Sequence, residues 1–221
     1  MIRQTVFNSR PTLTGALVRL EPLEERHIGG LVRAAEGDRE IYQWSFAPCG
    51  VSEVTAYVRA AIAAREAGTA VPFATVRTED DTVIGSTRFF DIERWAWPGD
   101  SERKSAPLDG CEIGYTWLAR SAMRTGANTE AKLLMLTHAF ERWHALRICL
   151  HTDARNTRSR AAMERIGARF EGILRSHRLA VDYIARDSAR YSIVAEEWPT
   201  VKRHIEGLLL AHAPVSAAPS D

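Results

Sequence analysis

The chain has 221 residues, 45% of them apolar and 26% charged, and its 29 basic and 28 acidic side chains leave a net charge of +1. That balance suits a globular domain with an ample core and argues against a general nucleic-acid binder, which would carry a large positive excess. Three cysteines (Cys49, Cys111 and Cys149) are spaced like neither a zinc site nor a disulfide framework, no apolar run approaches the ~18 residues that span a bilayer, and Met1 to Thr5 carries no signal core. The expected setting is therefore cytoplasmic and reducing, with no membrane partner.

Leu17 to Glu21 alternates apolar and polar residues, which predicts a first strand ended by Pro22. Glu24 to Ala35 predicts a helix broken by Gly29-Gly30 and ended near Gly37. A second helix starts at Ser52, with Val54, Val58, Ala61 and Ile62 on one face. Ala70 to Arg77 and Thr82 to Ile92 predict a hairpin around Glu79-Asp80-Asp81. Residues 94–110 form a long polar loop whose Trp95 and Trp97 either pin it to the surface or touch a substrate.

Cys111 to Leu118 reads as a strand whose internal Gly114 signals a bulge or a close backbone approach. A helix from Gly126 to Trp143 follows, then a strand from Leu146 to Thr152 with Cys149 as a small core residue. A helix from Thr157 to Ile166 stops at Gly167, a suitable C-terminal cap. Strands at Ala168 to Arg175 and Ala189 to Ala195 and a helix at Trp198 to Leu210 complete the pattern. The order predicts one mixed α/β domain over residues 11–212, with an extension at 1–10 and a small polar tail at 213–221 expected to be disordered.

Two helix starts carry the chemistry. Arg124-Thr125-Gly126-Ala127-Asn128-Thr129 opens into an apolar helix, where unpaired N–H groups and the helix dipole favour an anion. About thirty residues on, Asn156-Thr157-Arg158-Ser159 repeats the pattern after an apolar strand. Arg120, Arg124, Lys132, Arg155, Arg158 and Arg160 supply cations for a polyphosphate. Neither G-x-x-x-x-G-K-[ST] nor a G-x-G-x-x-G after the first strand is present, which excludes the common nucleotide folds. His138, His144 and His151 show no metal-ligand spacing and read as structural; no metal is expected.

Glu112-Ile113-Gly114-Tyr115-Thr116-Trp117, Arg124 to Ala131, Asn156 to Ser159 and Gly167 to Gly172 together resemble the GNAT superfamily of acetyl-CoA-dependent N-acetyltransferases, in particular its RimJ/RimL-type branch. The resemblance covers roughly residues 11–210. It departs at the pyrophosphate turn, where Gly126-Ala127-Asn128 stands in place of the more usual Gly-x-Gly or Gly-x-Ala. It implies a single α/β domain with a mixed, mostly antiparallel sheet of about six to seven strands, splayed between the fourth and fifth and flanked by helices.

The resemblance also implies site roles. Acetyl-CoA is the cosubstrate. Tyr115, Thr116, Trp117 and Leu118 pair with its pantetheine arm through their backbone, and Arg124, Thr125, Gly126, Ala127, Asn128 and Thr129 hold the pyrophosphate. Asn156 bonds the pantetheine or the helix edge. Ser159 lies near the thioester sulfur, replacing the Tyr that many relatives use to protonate the thiolate. Acetyl transfer needs a base and an oxyanion donor; Glu112 is the first candidate base, His177 the second, and a backbone N–H of the fourth strand the donor.

The acceptor is a primary amine, whether a protein N-terminus, an amino acid, a polyamine or another small amine, attacking directly in a ternary complex. Its pocket is expected from residues 23–60, 94–110 and the region after Arg175. The alternative is a CoA-binding sensor with little turnover, consistent with Asn128 and the missing Tyr. A nucleic-acid helix using the arginines between Arg155 and Arg178 is disfavoured, because they alternate with apolar positions and lack interleaved aromatics. The apolar Trp143 and Trp198 regions suit a core or a homodimer contact equally.

Overall fold

The computed structural model describes residues 10–211; the predicted tail at 213–221 and almost all of the N-terminal extension lie outside them. Eight strands form one sheet: β1 (Leu13–Thr14), β2 (Val18–Pro22), β3 (Val71–Arg77), β4 (Val83–Glu93), β5 (Gly110–Leu118), β6 (Arg147–Asp153), β7 (Arg169–Leu179) and β8 (Ala185–Val194), in the order β1-β2-β3-β4-β5-β6-β8-β7. Every neighbouring pair is antiparallel except β5 and β6, which run parallel. The expected six to seven strands fall short by β1, whose two residues are too few to show a period of two.

The helices are α1 (Ile28–Ala34), α2 (Gly50–Glu66), α3 (Ala127–Thr137), α4 (Thr157–Arg165) and α5 (Trp198–Leu210). Gly29-Gly30 does not break α1, which runs through both; a short 3-10 turn, Glu25–His27, precedes it. Gly30 lets the helix approach β4, since a Cβ there would meet Val83 at 2.7 Å. The expected helix to Trp143 stops earlier, at Thr137, and closes with a π turn, His138–Arg142.

Alternating strand residues feed two cores. Phe73, Phe89, Ile113, Ile148 and Tyr191 pack on one face with Met135 and Leu136 of α3 and Ile205 of α5. Ala74, Val76 and Trp117 pack on the other with Leu31 of α1 and Val54, Val58 and Ala61 of α2. The two layers grip the sheet at β2–β5, which fixes the position of β5 relative to α3. Glu130 of α3 tightens this further: its carboxylate accepts the N–H groups of Ala16, Leu17 and Val18 at 2.7–2.9 Å, tying the β1–β2 turn to the first turn of the helix.

Candidate active site

Pairing between β5 and β6 extends only from Gly110↔Arg147 to Glu112↔Cys149, although β5 continues to Leu118 and β6 to Asp153. Beyond Glu112 the two strands part, which is the splay the sequence resemblance implied. The bulge foreseen from Gly114 sits at the next residue: Tyr115 has φ +51, and the register with β4 shifts between Arg88↔Gly114 and Ser86↔Trp117. Trp117 and Leu118 are buried, and Trp117 packs edge-on against Tyr42 and Tyr57. Thr116 Oγ1 is held by Lys132 Nζ at 2.8 Å and by the Thr87 hydroxyl at 2.8 Å. What this stretch has left for a ligand is mostly backbone.

The turn into α3 is shaped the same way. Arg124 (φ +62) and Gly126 (φ +34) are left-handed, and a Cβ on Gly126 would lie 2.8 Å from Leu17 Cδ1. Thr125 Oγ1 donates to Ala122 O at 2.8 Å and receives only a long bond from Ala127 N, 3.4 Å. Gly126 supplies no side-chain cap, and the N–H groups of Asn128 and Thr129 have no partner among the described residues. Asn128 Oδ1 is likewise buried and unpartnered, while Thr129 Oγ1 is taken by Arg165 Nη2 at 2.7 Å. A helix start with two free amides and an orphaned acceptor fits a phosphate-bearing ligand with hydrogen-bonding groups of its own.

At the end of the β5–β6 pairing lies a small cavity of about 130 Å³ whose lining includes Asp91, Glu112, Cys149, His151, His177 and Arg178. Glu112 is 4% exposed. Its Oε2 accepts from Arg178 Nη2 at 2.9 Å, and Arg178 also bonds Asp91. His151 Nδ1 stands 2.9 Å from the same Oε2 but off the line of a hydrogen bond, so neither ring nitrogen of this buried imidazole has a hydrogen-bond partner. His177, inside β7, lies against His151 with ring centroids 5.2 Å apart. Burial, reinforced by Arg178 and His151, holds the His177 pKa below the ordinary histidine value.

The structure thus brings Glu112 and His177 together. Ser159 is not among the residues lining this cavity; it stands in the first turn of α4. Asn156 Oδ1 caps α4 by accepting Ser159 N at 3.0 Å. Trp95 and Trp97 pin the long loop through Asp109, which accepts Trp95 N at 2.7 Å and Trp97 Nε1 at 2.8 Å. His151 is the residue the sequence reading missed. In β6, Arg147, Cys149, His151 and Asp153 alternate with apolar Ile148 and Leu150, and the register places Cys149 opposite Glu112. That alternation was a visible sign that His151 shares a face with Glu112.

A model of the acetyltransferase (GNAT) domain matches residues 18–169. The chain belongs to the GNAT acetyltransferase family. A GCN5-related N-acetyltransferase from Brucella melitensis superposes with a TM-score of 0.79 at 27% identity, covering 96% of this chain and 89% of that one. RimJ of Mycobacterium smegmatis, solved with a CoA disulfide, superposes at 0.71 with 24% identity over 90% and 92% of the two chains, which shows the shared fold. The protein named "Putative ribosomal N-acetyltransferase YdaF" of Bacillus subtilis is 37% identical over 87 residues, spanning 39% of this chain and 46% of that protein. Among the described residues no cluster of His, Cys, Asp and Glu suits a metal, and no helix is long and apolar enough to cross a membrane.

Proposed function

We propose that this chain transfers the acetyl group of acetyl-CoA to a primary amine by direct attack in a ternary complex. The observation that carries this is the meeting of two features at one place: β5 and β6 part immediately beyond Glu112, and Glu112 lies in a cavity with two histidines. Acetyl-CoA supplies an activated acetyl thioester when bound. The bulged backbone from Tyr115 to Leu118 would hold its pantetheine arm, and the free amides of Asn128 and Thr129, with Arg124 beside them, its pyrophosphate.

The protein's part is proton handling and orientation. An attacking ammonium must first lose a proton, and Glu112 with His151 is placed to take it. Small rotation of the imidazole would align Nδ1–H on Glu112 Oε2 and leave Nε2 as the lone pair, the arrangement by which a carboxylate sets a histidine tautomer. His177, kept neutral by burial, is a second acceptor within the same cavity. Backbone N–H groups of β5 beyond Glu112 would donate to the carbonyl oxygen as it gains negative charge. The bond from carbon to the amine nitrogen forms, the carbon–sulfur bond breaks, and Ser159 is the residue proposed to hydrogen-bond the departing thiolate.

The name of the YdaF relative points to a ribosomal protein as one source of the acceptor amine. The test is to mix the protein with acetyl-CoA and amines of each class (a peptide N-terminus, amino acids, a polyamine) and follow free thiol. Thiol release that depends on the amine supports transfer. Binding of acetyl-CoA with no release from any amine would leave only a sensor, and no binding would end both readings.

A further inference from the structure

Arg88 of β4 is not used by the chemistry above. It is 7% exposed, yet among the described residues its side chain makes no hydrogen bond and no ion pair, and its Nε is buried without a partner. Its guanidinium lies only against two rings, 4.1 Å from the centroid of Tyr115 and 4.9 Å from that of Tyr57. Arg65 is buried to the same degree, but its Nη1 donates to Leu23 O at 2.7 Å. Arg178 and Arg103 hold carboxylates. A buried guanidinium without an anion is costly, and cation–π contact offsets only part of that cost. Its partner is missing from the chain itself.

Register places Arg88 beside the reacting centre. Arg88 pairs with Gly114 and Phe90 with Glu112, so Arg88 and Glu112 are diagonal neighbours on one sheet face, with Cβ atoms about 7 Å apart. The surface between them is continuous: Tyr115 touches Phe90, and Arg178 lies over Phe90 while bonding Glu112. Tyr115 is half exposed, so the ring that covers Arg88 borders open space. An anion seated on Arg88 and an amine presented to Glu112 would lie within one small molecule.

We propose that Arg88 binds a carboxylate of the acceptor. The acceptor class is then an amine carrying a carboxylate a few bonds from its nitrogen, either a free amino acid or an N-terminal residue with an acidic side chain, and polyamines are excluded. The inference rests on the reading of Glu112 as the acetyl-transfer centre.

The test separates the two. In titration calorimetry with CoA present, N-acetyl-glutamate and its diamide serve as product-like probes for the wild type, Arg88→Met and Arg88→Lys. The wild type binds the carboxylate form at least tenfold tighter than the diamide. Arg88→Met loses that preference, and Arg88→Lys, which keeps the charge without the planar fork, retains part of it. Arg88→Met also melts no lower than the wild type without ligand, because relief of the buried charge offsets the two cation–π contacts that are lost. Equal affinity for the two probes, binding of neither, or an undiminished preference in Arg88→Met overturns the proposal. In parallel, thiol release is followed with glutamate, glutamate diamide, a peptide beginning with glutamate and a polyamine. Release favouring the first or third identifies the source of the carboxylate. Absence of release from every amine, with probe binding intact, would refute acetyl transfer while leaving the Arg88 site standing.

Discussion

The two sides of the β5 strand are built from different materials. On the side of the wedge and the α3 turn, the features that would receive a ligand are backbone: a bulge at Tyr115, left-handed Arg124 and Gly126, and the unpaired amides of Asn128 and Thr129. At Glu112 and along the β4 face, they are side chains drawn from four strands: Asp91, Glu112, His151 and Arg178, with Arg88 beyond them. Backbone geometry can be specified by a short local run, because a left-handed turn and a helix start need only the right few residues. A side-chain cluster needs several distant segments in register. The first kind of site is read from one stretch of sequence, and the second appears only when the sheet is assembled.

That contrast can be broken first at Glu112. Glu112→Gln removes the proposed proton acceptor and leaves the α3 turn untouched, so turnover should fall about 1,000-fold while the dissociation constant of acetyl-CoA, measured by calorimetry, stays within about twofold. A matching loss of acetyl-CoA affinity would show that the two sides are not separable.

Glu130 probes the other side, since its carboxylate ties the β1–β2 turn to α3. Glu130→Ala leaves the N–H groups of Ala16, Leu17 and Val18 without their acceptor and should cost roughly 3 kcal/mol in denaturant unfolding. The same change should weaken acetyl-CoA binding more than it slows turnover at saturation. A loss below about 1 kcal/mol would mean that water replaces the carboxylate.

Lys132 gives a smaller effect of opposite sign. Complete burial lowers its pKa to about 7. The unfolded chain therefore binds more protons between about pH 7 and 10.5, and stability rises with pH across that window. Below pH 7 the folded protein carries the full burden of a desolvated charge whose partner is the Thr116 hydroxyl. Lys132→Met should stabilise by about 2 kcal/mol at pH 6, and the gain should shrink as pH rises towards 10.5. Thermal unfolding at several pH values checks this. A destabilised variant would show instead that the Lys132–Thr116–Thr87 chain holds the bulge.

Ser159→Ala is the smallest change. A hydroxyl that only hydrogen-bonds a leaving thiolate should be worth about fivefold in turnover, with unchanged acetyl-CoA affinity. Unaltered turnover would remove Ser159 from the mechanism and agree with its absence from the Glu112 cavity.

Most strands and helices were legible in the sequence because each shows a period of its own. The strand Val18–Pro22, the helix Trp198–Leu210 and the bulge after Gly114 all follow from local pattern. The errors have local causes too. Gly29-Gly30 suggests a break, but the helix runs through both, and at Gly30 the approach to Val83 leaves no room for a side chain. His151 was read as structural because no metal spacing surrounds it, and its partner Glu112 is 39 residues away in sequence. Arg88 carried no motif at all; only its burial without a partner singles it out.

By itself the sequence determined the fold and the family, since hydrophobic period and helix starts are properties of consecutive residues. The tertiary structure alone decided which side chains meet around Glu112. Strand register sets which of two faces each residue occupies, and register is fixed by the packing of the whole sheet.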